Sequence, residues 1–93
     1  MLLRYHTVKG QKYSVEAGMV TFIGEKENYG NVIIVNTSDD MNIWYGNIDK
    51  AAVKLFDYVE KGEYLGNTVG DKLYLAYSKD NTFLDYKEYL DED

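Results

Sequence analysis

A chain of 93 residues has room for one small domain with a single core, and not for two independent ones. With 45% hydrophobic and 15% aromatic residues, it falls among globular rather than disordered sequences. Sixteen acids against ten Lys and Arg give a net charge of −6 with no basic cluster, which excludes a duplex-binding surface and disfavours anionic lipid.

Cysteine is absent, so disulfides, thiolate zinc sites and thiol catalysis are ruled out. Met1-Leu2-Leu3-Arg4 is too short and too poorly patterned for a signal peptide, and no run approaches the roughly 20 apolar residues of a membrane span. The expected product inserts in no membrane by itself. Patterning begins almost at the first residue, which fits a piece of a longer protein whose targeting element lies upstream.

Short apolar or alternating runs predict strands at 19–23, 32–35, 43–45, 53–55, 64–65 and 73–77. Turn signals punctuate them: Gly18, Gly24, Tyr29-Gly30-Asn31, Ser38-Asp39-Asp40, Gly46-Asn47, Lys61-Gly62, Gly66-Asn67, Gly70-Asp71 and Lys79-Asp80-Asn81. Strands this short and this regularly interrupted predict an all-β domain, a small antiparallel β-sandwich or barrel. One short helix is expected near the end, where Asp85 and Glu88 form a capping-box pattern before Leu90. Residues 1–90 then make the domain, and 91–93 an acidic tail that frays.

The most informative stretch runs from Trp44 to Gly66. It holds Trp44-Tyr45-Gly46-Asn47-Ile48 and then Val53-Lys54-Leu55-Phe56-Asp57-Tyr58-Val59-Glu60-Lys61-Gly62-Glu63-Tyr64-Leu65-Gly66, which reads as a strand, a turn around Asp57-Tyr58, and a Lys61-Gly62 corner that returns the chain. Biotinyl and lipoyl carriers use a similar corner, and Asp49-Lys50-Ala51 looks like a lipoyl attachment triplet. Lys50, however, lies only seven residues before Asp57, too close for a carrier lysine at the tip of its own hairpin.

Together with Gly18-Met19-Val20, Tyr29-Gly30-Asn31-Val32-Ile33-Ile34 and Phe83-Leu84-Asp85, this stretch resembles the LytM-type (lysostaphin-like) zinc endopeptidase domain, whose members cut peptide bridges of bacterial cell walls. The resemblance covers about 13–90 and implies the duplicated β-sandwich (barrel-sandwich hybrid) fold of that family. Active relatives hold zinc with a His and an Asp near the start and the second His of a His-x-His pair near the end. The first His of that pair and one at a loop corner assist water attack. The resemblance places the corner position on Asn47, the pair on Lys72 and Tyr74, and the early aspartate near Arg4.

These residues suit zinc poorly. Asn47 cannot shuttle a proton, Lys72 is cationic at neutral pH, and Tyr74 with a reference pKa of about 10 is a weak ligand. His6 is the chain's single imidazole. The expectation is therefore no catalytic residue, no metal and no cofactor. Strand alternation predicts Lys72, Tyr74 and Ala76 along the former cleft and Leu73, Leu75 and Tyr77 in the core, with Tyr45 sharing the face of Asn47. Tyr45, Asn47, Lys72 and Tyr74, with Arg4, then form a candidate peptide-binding surface. A second reading is that Tyr74 merely fills the old metal pocket. Of the ten tyrosines, most are expected as half-buried strand residues, with Tyr29, Tyr58 and Tyr86 as candidates for a partner surface.

Among degenerate members of the family, Ile23-Gly24-Glu25-Lys26-Glu27 and the Trp44-to-Gly62 residues are similar to a group of membrane proteins of spore-forming bacteria. That resemblance implies an extracytoplasmic regulatory domain. Its protein partners would be a membrane-embedded metalloprotease and the inhibitor of that protease. A wall-peptide-binding module and a live zinc endopeptidase are the alternatives in other functional classes.

Overall fold

Period-two alternation decides which side of each strand faces inward, and it builds this domain from two sheets. The computed structural model describes residues 2–6, 11–80 and 82–92. Ten strands follow in chain order: β1 (Leu2–His6), β2 (Gln11–Tyr13), β3 (Gly18–Lys26), β4 (Gly30–Asn36), β5 (Asn42–Gly46), β6 (Ile48–Ala51), β7 (Tyr58–Val59), β8 (Tyr64–Thr68), β9 (Lys72–Lys79) and β10 (Thr82–Glu92). A seven-stranded sheet has the order β1-β10-β9-β5-β4-β3-β7, and a three-stranded sheet the order β2-β8-β6. All pairings are antiparallel except that of β1 with β10, which is parallel. The all-β class expected from the sequence is what the structure shows.

The inner face of the large sheet carries Val20, Ile33, Val35, Ile43, Tyr45, Leu73 and Leu75, and they pack with Ile48, Val53, Val59 and Leu65 in one core. Each such aliphatic side chain contributes about 1.5–3 kcal/mol through removal from water. The register fixes what the outer face bears. One row runs Met19, Asn36, Asn42, Ser78 and the next Phe22, Ile34, Trp44, Ala76, while Gly46 lies opposite Tyr74.

Three sequence expectations give way. The segment 85–90 is no helix but part of β10, which pairs with β9 on one side and β1 on the other; two ladders of backbone bonds outweigh a local capping pattern. That strand continues through Asp91 and Glu92, opposite Tyr5 and His6, rather than leaving an acidic tail from 91. Residues 53–55 are no strand either: Val53 is buried, but the chain bends there and turns over Lys54–Asp57, so the turn precedes the expected Asp57-Tyr58 position.

Two four-residue turns in this stretch share one construction. In Lys54–Asp57 the N–H of Asp57 donates to the Lys54 carbonyl (3.0 Å), and the Lys54 N–H to Asp57 Oδ2 (2.9 Å). In Glu60–Glu63 the Glu63 N–H donates to the Glu60 carbonyl (3.0 Å), and the Glu60 N–H to Glu63 Oε1 (3.0 Å). Each turn then exchanges a pair of backbone bonds with one distant residue, Val20 for the first and Ser14 for the second. The third position is left-handed in both, Phe56 at φ 72° and Gly62 at φ 85°. Glycine meets that demand freely, whereas a bulky residue costs about 1–2 kcal/mol there.

Tyr45 is fully buried on the inner face of β5. Its phenol oxygen accepts from the Val15 N–H (3.0 Å) and lies 3.5 Å from Ser14 Oγ, whose own proton goes to the Glu16 carbonyl (2.5 Å). Burial pushes the phenol up to about 12, and the Ser14 and Val15 bonds oppose that shift in part. Since the folded value lies above the unfolded value of about 10, the associated stability is complete below pH 10 and lost as pH rises towards 12, by about 2–3 kcal/mol. Urea unfolding of the parent and Tyr45→Phe between pH 9 and pH 12 is therefore expected to show the difference between them shrinking by that amount. Gly66 provides a second check: at φ 149° a Cβ would run into the Lys50 carbonyl oxygen. Gly66→Ala is expected to lower unfolding free energy by more than about 2 kcal/mol in the same assay.

Candidate functional site

The corner between β5 and β6 is a single residue, Asn47, in the left-handed region at φ 68°, where asparagine is among the few residues at ease. All its backbone and amide hydrogens are committed. Its N–H donates to the Tyr29 carbonyl (2.6 Å) and its carbonyl accepts from the Val69 N–H (2.9 Å). Its side-chain nitrogen donates to the carbonyls of Val69 (2.9 Å) and Lys72 (2.8 Å). Asn47 thus ties three segments together: the turn before β4, the β8–β9 connection and the start of β9.

The structure brings the predicted corner and pair positions together. Lys72 and Tyr74 lie half-buried on β9, with the Lys72 carbonyl held by Asn47 and Tyr74 opposite Gly46. Gly46 has no room for a side chain, because a Cβ would meet the Tyr29 carbonyl at 2.9 Å and the Tyr74 Cβ at 3.3 Å. Tyr29 and Tyr74 therefore close over this glycine from two sides. By register Lys72 pairs with Leu90 and Leu90 with Arg4, so the backbone of Arg4 reaches the same row. The side chains of Arg4, His6 and Tyr86 lie outside the described residues. No cluster of three or more His, Cys, Asp or Glu gathers among the described residues.

Tyr45 does not line this cleft. It faces the core beside Leu75 and Ile33, since the left-handed Asn47 breaks the alternation by which residues 45 and 47 would share a face. Ala76 does lie on the outer face, but it is fully covered, while Tyr77 packs against the core as expected.

Sequence reasoning missed the aromatic part of this face. Trp44 meets Tyr29 at 5.6 Å and Phe83 at 5.0 Å between ring centroids, and Tyr29 stacks on Phe83 at 6.2 Å. Lys26 Nζ sits 4.4 Å above the Phe22 ring and 5.4 Å from Trp44, within cation–π range. The indole N–H donates to Ser78 Oγ (3.1 Å). A groove of about 300 Å3 runs beside this tray, lined by Thr21, Ile34, Asn42, Trp44, Ser78 and Phe83. The signal was present: counting by twos from the apolar Ile43 sends Tyr45 inward and Trp44 outward.

Removing the Asn47 amide leaves two carbonyls short of a donor, at a cost of about 1–3 kcal/mol. Asn47→Ala is expected to lose that much unfolding free energy by chemical denaturation, and a loss below about 0.5 kcal/mol would mean that the corner does not depend on the amide.

The chain matches the model of peptidase family M23 over residues 4–85. No curated protein matches the chain. With most of its length inside that match, the chain belongs to peptidase family M23.

Proposed function

We propose that this M23 domain is a non-catalytic interaction and regulatory domain. The observation that carries the reading is the state of Asn47: its amide is spent on the Val69 and Lys72 carbonyls, where the resemblance places a histidine that assists water attack. An amide neither accepts nor releases a proton near neutral pH. The donor set around it does not fit zinc, which takes neutral imidazole or carboxylate in a tetrahedral shell. Here the corresponding positions hold an ammonium, a phenol and a carboxamide, and the whole chain has one histidine.

The resemblance to the C-terminal domain of stage IV sporulation protein FA supplies the finer reading. It implies an extracytoplasmic domain, anchored in the full-length protein and lying between mother cell and forespore. The domain would hold a membrane-embedded metalloprotease together with its inhibitor and so regulate processing of a late sigma factor. Among the described residues no helix is long and apolar enough to cross a membrane, so in this reading any helical anchor is supplied by chain outside them.

A second reading is favoured by one observation, the groove beside Trp44 and Phe83 on the face that also bears Lys72 and Tyr74. Aromatic rings with polar neighbours suit a peptide or sugar chain, so binding of wall peptide without cleavage remains the alternative use of this face.

Purified protein is expected to hold well under 0.1 zinc per chain, to keep its melting temperature in chelator, and to leave a glycine-bridged peptide intact. About one zinc per chain with chelator-sensitive melting would overturn the non-catalytic reading.

A further inference from the structure

The two matched turns contain an internal control. Both demand a left-handed third residue, both cap their first N–H with the carboxylate of the fourth, and both dock by two backbone bonds on a distant strand or loop. The Glu60–Glu63 turn meets the demand with Gly62. The Lys54–Asp57 turn meets it with Phe56, whose ring gains no burial in exchange: it is 69% exposed. Strain retained without packing points to a use outside the fold.

The surroundings agree. Leu55, next in the turn, is 48% exposed, and Tyr58 and Met19, a cross-strand pair on β7 and β3, are 62% and 44% exposed. Four large apolar side chains thus protrude together at the β7 edge of the large sheet. Isolated exposed hydrophobics are ordinary, but four on one turn and its adjoining rung, two of them aromatic, have the composition of an interaction hot spot.

We propose that Phe56 and Leu55, flanked by Tyr58 and Met19, form a docking knuckle for a folded protein partner that offers a concave apolar pocket with basic side chains on its rim. The knuckle is a convex turn, so the concavity belongs to the partner. Exposed Asp57, Glu60 and Glu63 stand beside it and outnumber the exposed Lys54 and Lys61 of the same two turns, in a half of the chain where acids outnumber bases by eleven to six. Basic side chains on a protein rim meet those charges, whereas an anionic lipid surface repels them. The proposal deepens the interaction-domain reading and rests on it, but it assigns the contact to the β7 edge rather than to the Trp44 face.

The test uses the 93-residue chain, immobilised, with the detergent-solubilised metalloprotease–inhibitor pair as probe. Phe56→Gly places in this turn the residue its twin already has, and it is expected to melt no lower than the parent yet to bind at least tenfold more weakly. Phe56→Asn, which also tolerates the left-handed region, and Leu55→Ser are expected to weaken binding likewise, while Phe83→Ser leaves it unchanged. Equal binding by parent and Phe56→Gly overturns the knuckle and leaves the interaction reading intact, and binding lost only with Phe83→Ser moves the contact to the groove. If the pair fails to retain the parent, reading and knuckle fall together. Phe56-dependent attachment to phosphatidylcholine vesicles, or Phe56-dependent self-association by sedimentation, would replace the protein partner with a bilayer or a second copy and so overturn the proposal.

Discussion

The phenol of Tyr45 is the contact on which the two-layer arrangement turns. It rises from the middle of the large sheet, fills the centre of the core, and ends against the backbone of Val15 in the segment that joins β2 of the small sheet to β3 of the large one. A tyrosine here does two things that a phenylalanine cannot. It satisfies a partly buried N–H, and its own O–H is left to donate to Ser14 Oγ, whose hydroxyl in turn donates to the Glu16 carbonyl. Since a buried donor without a partner is costly, the chain between the layers is pinned in one position rather than merely pressed there.

Around that anchor the outer face is organised by small residues and left-handed corners. Gly46 allows Tyr29 and Tyr74 to close over β5, and Asn47 then ties the turn before β4, the β8–β9 connection and β9 at one point. The same atoms bear on stability and on the chemistry available. A side chain whose hydrogens hold two carbonyls in place is part of the scaffold, and the face beside it is left with rings, an ammonium and hydroxyls.

The class and the central strands were legible because alternation and glycine-rich punctuation are strong signals for short strands. The resemblance put the corner on Asn47 and the pair positions on Lys72 and Tyr74, and the structure sets these residues between β5 and β6 and at the start of β9. What failed did so for identifiable physical reasons. The capping pattern at Asp85 and Glu88 is local, and it yields to strand pairing on both sides that involves residues far away in the chain. Val53 is apolar because it is buried, not because it is in a ladder. Tyr45 was assigned to the wrong side because a left-handed residue resets the alternation after it. The turn at Lys54–Asp57 escaped notice because phenylalanine is not a turn residue, and its presence there became meaningful only beside Gly62.

The parallel pairing of β1 with β10 has a mechanical consequence. Leu2 lies opposite Glu88 and His6 opposite Glu92, so a pull outward on Leu2 and on Glu92 draws the two strands past each other lengthwise. The rungs between them share the load in shear and must yield nearly at once, whereas a hairpin opened from its ends would surrender them singly. Tension transmitted through the chain thus meets a clamp at the sheet edge before it reaches the hydrophobic interior.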